Sequence, residues 1–234
     1  MMPARMMKAF LPRFAALALV AALSIGSTAP AKRNWNAVVE TTATGTHVLG
    51  NPQARLKLAE YVSYTCGHCA SFEKQADSPL RLAFITPGTV SVEVRPFVRD
   101  PVDLTAAMLT HCGPAQGFFR RHAAFLRSQP RWIDKLANAG PVERQRWGQG
   151  TFAQRMRLIA SDFGFYDIAA SRGVDRAMAN RCLADEDRAR ALAGMAETAM
   201  AEGVRGTPSF MINDELLAGT HDWRALEAQL RARM

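Results

Sequence analysis

Hydrophobic residues fall along this chain in two rhythms, and the change from one to the other divides it. Leu56 to Tyr64 is mostly apolar on both faces, as a strand buried inside a sheet requires. Thr89 to Pro96 alternates, with Val90, Val92 and Val94 on one side and Ser91, Glu93 and Arg95 on the other, which predicts a second strand. The segment between them, from about Gly67 to Phe84, reads as a helix with Pro79 as a kink or break. His47-Val48-Leu49-Gly50, followed by Asn51-Pro52, predicts a short edge strand ending in a turn. Residues 32–46 are polar and weakly patterned, so a loose leading segment is expected there.

From about Val102 to Glu202 the rhythm is helical. Leu104, Met108 and Cys112 share one face, as do Phe152, Met156, Ile159 and Phe163. Glycine and proline near 113–114, 140–141 and 148–150 divide the region into several helices. Strand character returns at Ser209–Ile212, with Asn213-Asp214 as a turn and Glu215–Leu217 as the partner strand. A closing helix sets Trp223, Leu226 and Leu230 on one side. The expected architecture is α/β: a small mixed sheet built from residues 32–98 and 203–234, split in sequence by an all-helical insertion over 99–202.

The first thirty residues stand apart. Arg5, Lys8 and Arg13 make a basic start, Phe14 to Ile25 is an apolar stretch, and Ala29-Pro30-Ala31 supplies small residues for cleavage. This is the layout of a secretory signal peptide over residues 1–31. An uncleaved anchor is the alternative, but the stretch falls short of the roughly 20 residues that span a bilayer. Removing it lowers the formal charge from +8 to +5. The remaining arginines lie beside acids (Arg181, Asp185, Glu186, Asp187, Arg188), so no sustained basic patch suggests a nucleic-acid partner. A hydrophobic fraction of 48% is ample for a core.

Export would place the cysteines where disulfides persist. Cys66-Gly67-His68-Cys69 follows the apolar strand and opens the helix, where thiol–disulfide chemistry is easiest to tune. Unpaired N–H groups and the helix dipole favour a thiolate at Cys66, and His68 can support it. Such settings bring a cysteine pKa from about 8.5 into roughly 3.5–7.5. Cys69 is expected as the less exposed resolving thiol. An inert disulfide or a metal site are the plain alternatives; no second CxxC or paired histidine accompanies the motif, so no metal and no cofactor are expected. Cys112 and Cys182, each in a predicted helix, are expected to form a structural disulfide across the insertion, the alternative being two buried free thiols. Glu60 shares a strand face with Leu58 and Val62, which would bury its carboxyl and raise its pKa, unless it is an ordinary pairing carboxylate. His47, His122 and His221 are assigned no role.

Three segments resemble the DsbA-like thiol–disulfide oxidoreductases of the thioredoxin superfamily. Glu60-Tyr61-Val62-Ser63-Tyr64-Thr65 leading into the CxxC is similar to their strand-to-active-site passage. Gly203-Val204-Arg205-Gly206-Thr207-Pro208-Ser209-Phe210 resembles their cis-proline loop, and Asn213 to Leu230 their closing hairpin and helix. The resemblance implies a thioredoxin-like fold carrying the helical insertion, Glu60 as a proton relay for Cys69, and a cis bond before Pro208. Gly206, Thr207 and Pro208, with Arg205 beside them, would then bind extended clients through backbone pairing. It further implies a periplasmic enzyme acting on unfolded or newly translocated proteins, reoxidised by a quinone-linked membrane partner, and a monomer. Two features depart from the best-known oxidase: the Gly-His dipeptide resembles protein disulfide isomerase, and Thr207 resembles the periplasmic isomerases. An isomerase or reductase is therefore the alternative. Copper handling through the Cys-His-Cys cluster, or simple gripping of peptides, are the non-enzymatic ones.

Overall fold

The computed structural model describes Met1 and residues 33–234; apart from Met1, the expected signal peptide lies outside the described residues. Six strands form one sheet in the order β1 (Val39–Thr41), β2 (His47–Gly50), β4 (Val90–Pro96), β3 (Leu56–Val62), β5 (Ser209–Ile212), β6 (Glu215–Leu216). Only β3 and β4 run parallel, joined through helix α1 (Gly67–Leu80); the other pairings are antiparallel. β3 lies between β4 and β5, so both its edges are paired, and apart from Lys57 its side chains are buried on both faces of the sheet. Leu58 and Val62 join Val92, Val94, Phe210 and Ile212 in the main core, with Glu60 between them on the same face of the strand. Ala59 and Tyr61 pack on the other side with Ala199, Val204 and Met211.

Three local expectations change. The central strand ends at Val62 rather than Tyr64, because Ser63 to Thr65 leave the ladder to reach the helix. The described part of the segment expected to be loose, residues 33–46, holds a 3-10 turn at Trp35–Ala37 and the edge strand β1, which displaces β2 from the sheet edge. Three residues are too few to show a period, and β1 exists through its pairing, Val39 opposite Leu49. The helix also passes Pro79 and ends at Leu80, widening into a π turn over Arg81–Ile85. A proline removes one intrahelical donor, and a widened turn is one way to absorb that loss.

Between β4 and β5 the chain forms α2 (Pro101–Thr110), α3 (Phe118–Ser128), α4 (Ile133–Ala137), α5 (Pro141–Trp147), α6 (Phe152–Asp162), α7 (Phe165–Ala170), α8 (Arg176–Cys182) and α9 (Glu186–Ala201). Asp100, Thr151, Asp175 and Asp185 begin four of these by accepting from first-turn N–H groups, and Asp222 does the same for the closing α10 (Trp223–Arg233). Met108, Phe125, Ile159, Phe165 and Leu192 from these helices share one continuous core with the sheet. Asn213 and Asp214, both at positive φ, turn β5 into β6, as a two-residue hairpin of the primed type demands.

Cys112 lies just past the C-cap of α2 rather than inside the helix, and a disulfide joins it to Cys182, the last residue of α8. The turn is braced by Arg121, whose buried guanidinium donates to the carbonyls of Thr110 (2.9 Å) and Pro114 (3.0 Å), where the C-terminal end of a helix favours a cation. His47 and His111 pack against Phe118 nearby, and burial lowers them to about 4 and about 3. Replacing both Cys112 and Cys182 by serine should lower the unfolding free energy by up to about 4 kcal/mol, the chain-entropy value for so long a loop. A urea midpoint identical to that of the parent protein would contradict this.

Candidate active site

Strand β3 stops and α1 starts within five residues, and side chains from the insertion hold the passage between them. Asp103 of α2, 1% exposed, accepts from the Ser63 hydroxyl (2.5 Å), the Tyr64 N–H (2.7 Å) and the Arg99 N–H (3.0 Å). Arg99 donates through Nε to Ser63 Oγ (2.9 Å) and through Nη2 to Thr65 Oγ1 (3.1 Å). Gln129, just after α3, donates through Nε2 to the carbonyls of Tyr64 (2.7 Å) and Cys66 (3.0 Å). Cys66 thereby becomes the N-cap of α1, and Cys69 sits one turn further in.

The two sulfurs meet opposite environments. Cys66 is lowered to about 5: the Cys69 thiol donates to it, burial opposes, and the Thr207 hydroxyl and the N–H groups of Cys69 and His68 add to the stabilisation. As a thiol, Cys66 instead donates to the Thr207 carbonyl at 3.1 Å, a contact that favours the neutral form. The Thr207 hydroxyl is buried with no other partner, so it is free to turn donor when the sulfur ionises. Cys69 is fully buried, and desolvation, followed by the neighbouring Cys66, raises it well above the ordinary thiol range. His68, between them, is exposed.

Glu60 is buried on the central strand, raised to about 8 by desolvation first and then by the charge of Glu73. Its Oε1 has no hydrogen-bond partner, and its charge contributes to the raised pKa of Cys69. Its raised pKa favours the protonated, uncharged carboxyl in this buried position.

The Thr207–Pro208 bond is cis. Beside it opens a groove of about 600 Å³ that includes His68, Arg205, Gly206, Thr207, Pro208 and His221. Arg205 turns its Nη1 back to the Met200 carbonyl (2.8 Å) at the end of α9 while still bordering the groove. His221, given no role by the sequence, donates through Nδ1 to the Pro208 carbonyl at 2.8 Å. Cys112 and Cys182 belong to the insertion's disulfide. Among the described residues, no three His, Cys, Asp or Glu side chains are placed to hold one metal ion.

Sequence reasoning missed Asp103, Arg99, Gln129, His221 and Glu73. Asp100-Pro101 two positions before Asp103 announces a helix start, but nothing local marks the aspartate as an anchor for Tyr64. Gln129 has no local signal at all.

A family model described as Thioredoxin matches residues 42–232. Curated relatives from Rickettsia prowazekii and Rickettsia typhi, provisionally named protein-disulfide oxidoreductases, are each 27% identical over 168 residues, 71% of this chain. Those matches cover 53% and 54% of the relatives, so the chain spans about half the length of the curated relatives it matches. A solved structure described as a protein-disulfide isomerase from Novosphingobium aromaticivorans is 53% identical, with a TM-score of 0.77 over 81% of this chain and 97% of that one. Wolbachia pipientis alpha-DsbA1, at 21% identity, shares the fold with a TM-score of 0.64 over 82% and 92% of the two chains.

Two measurements follow from the electrostatics. The thiolate absorbance of the reduced protein should titrate near pH 5 and vanish in Cys66→Ser; a midpoint above pH 8 would overturn the assignment of the acidic sulfur. The folded form holds the Glu60 proton more tightly than the unfolded chain, so this group costs stability increasingly as pH rises from about 4.5 to about 8. Glu60→Gln should therefore gain roughly 3 kcal/mol on the parent protein between pH 5 and pH 8, read from urea unfolding at each pH.

Proposed function

The chain belongs to the thioredoxin family and has the fold of DsbA-like oxidoreductases, and we propose that it is an exported dithiol oxidase that passes its Cys66–Cys69 disulfide to client proteins. The observation that carries the reading is the inequality of the two sulfurs. A client thiolate attacks Cys66 Sγ, the Cys66–Cys69 bond breaks, and the electron pair stays on Cys69. Cys69 is a poor leaving group unless protonated, and Glu60, which holds its proton at neutral pH, supplies one. A second client thiolate then attacks the client sulfur of the mixed disulfide. Cys66 leaves as a thiolate, a good leaving group because of its low pKa. The client gains a disulfide, and the protein keeps two electrons and a reduced pair.

Client chains would lie extended in the groove beside Pro208, pairing with the backbone of Gly206 and Thr207, a mode that reads main chain and tolerates many sequences. The apolar stretch from Phe14 to Ile25 supports export to the periplasm, where newly translocated proteins need disulfides. Turnover there requires reoxidation, for which a quinone-linked membrane protein is the proposed partner, acting on a monomer. One observation favours isomerisation instead: the 53%-identical structure is described as a protein-disulfide isomerase, and the same Cys66 thiolate can attack a wrong disulfide.

Redox potential separates donor from reductant. A Cys66 pKa near 5 stabilises the reduced form at pH 7 by up to about 3 kcal/mol over an ordinary thiol, or about 60 mV. Equilibration with glutathione should therefore give roughly −200 mV, against roughly −270 mV for thioredoxin. A value at or below thioredoxin's would sink the oxidase reading.

A further inference from the structure

Helix α1 carries Cys69, Glu73 and Asp77 at four-residue spacing, so the three line up along one face from the buried sulfur to the solvent end. Across from them, Glu60 of β3 and His122 of α3 border a cavity of about 30 Å³ that Glu73 also lines. That space suffices for one water, and the unpartnered Glu60 Oε1, the Glu73 carboxyl and the His122 ring supply the polar partners a buried water needs. Glu73 spans the gap between this cavity and the surface. Its Oε1 accepts from Arg127 Nε (3.2 Å) and lies 3.1 Å from Nη2 in the same ion pair, while its Oε2 faces His122 Nε2 at 3.9 Å. Burial keeps that ring neutral, lowered to about 3, so the contact is not an ion pair. Arg127 is half exposed and also holds Asp77 (2.6 Å), which pairs in turn with Arg81.

We propose that Glu73 is the route by which Glu60, having given its proton to Cys69, regains one from solvent, by way of one water in the cavity that the two carboxyls share. This rests on the oxidoreductase reading above. When Cys69 leaves as a thiolate it takes the Glu60 proton. The water then gives a proton to Glu60 as it takes one from Glu73, and Glu73 is reprotonated from solvent beside Arg127 and Asp77. The groups facing this path are Cys69, Asp77 and Glu73 on α1, Glu60 on β3, His122 and Arg127 on α3, and Arg81 on the π turn. Glu73 is poised for such exchange: burial, then Asp77, push it up to about 7 against the pull of Arg127. A carboxyl that only anchored α1 to Arg127 would need no access to the cavity.

The test uses the full chain, oxidised, reacting in a single turnover with a reduced peptide holding one cysteine pair, from pH 5 to pH 9 in H2O and D2O. Glu73→Gln keeps the shape and the Arg127 contact but carries no proton. Above pH 8, where Glu60 must first regain its proton, it should slow the step about tenfold, with a larger D2O effect and an unchanged Cys66 thiolate midpoint, leave the rate at pH 5 unchanged, and Glu73→Asp should recover most of the rate. A Glu73→Gln rate and pH profile matching the parent protein overturn this route, as does a slowing that comes with a shifted Cys66 midpoint. If Glu73→Gln does not fold, carboxyl-carbon NMR of the parent protein decides: Glu60 and Glu73 should titrate as a coupled pair, and independent titrations overturn the proposal. A parent protein that fails to oxidise the peptide is a different result, removing the oxidase reading itself.

Discussion

Two sulfurs one helical turn apart must differ in charge, and that inequality organises the molecule around them. Donors converge on Cys66 at the open end of α1, while Cys69 is withdrawn into the core with a protonated carboxyl for company. The proposed exchange needs both halves: an acidic Cys66 without a buried partner would leave readily but have nothing to resolve it, and a buried thiol without a proton source would leave its disulfide slowly. Burying Glu60 between β4 and β5 is costly for folding, and the proposed proton transfer to Cys69 would give a reason for that cost.

The helical insertion is part of this arrangement. Asp103, Arg99 and Gln129 hold Ser63 to Cys66 in one conformation, so the start of α1 is set by residues outside the strand–helix unit that contains it. The insertion shares its core with the sheet, and its own turn at Cys112 is fixed by a disulfide and by Arg121. A reactive site tolerates little misplacement, and rigid support from a neighbouring layer of helices supplies the precision that a free loop would lack.

Much of this was legible residue by residue. Leu56 to Tyr64 announced a central strand, Asn213-Asp214 a tight hairpin, and Cys66 to Cys69 with Thr207-Pro208 a thiol pair facing a loop; the structure forms the hairpin and brings Cys66 to Thr207, and it ends the strand two residues earlier, at Val62. β1 escaped because three residues show no period, and its existence depends on a partner strand. Glu73 went unread, since its burial comes from α3 and the sheet rather than from its own neighbours.

What the sequence by itself determined were features whose physics is local. Two thiols at this spacing can close only on each other's turn, an apolar run on both faces belongs inside a sheet, and paired Asn and Asp accept positive φ. What only the tertiary structure decided were the charges. The Cys66 sulfur meets Thr207 across 141 residues, Tyr64 meets Asp103 across 39 and Cys66 meets Gln129 across 63, and these distant contacts set which groups are dry and which are solvated. Acidity depends on desolvation and on nearby dipoles, and neither is a property of chain neighbours.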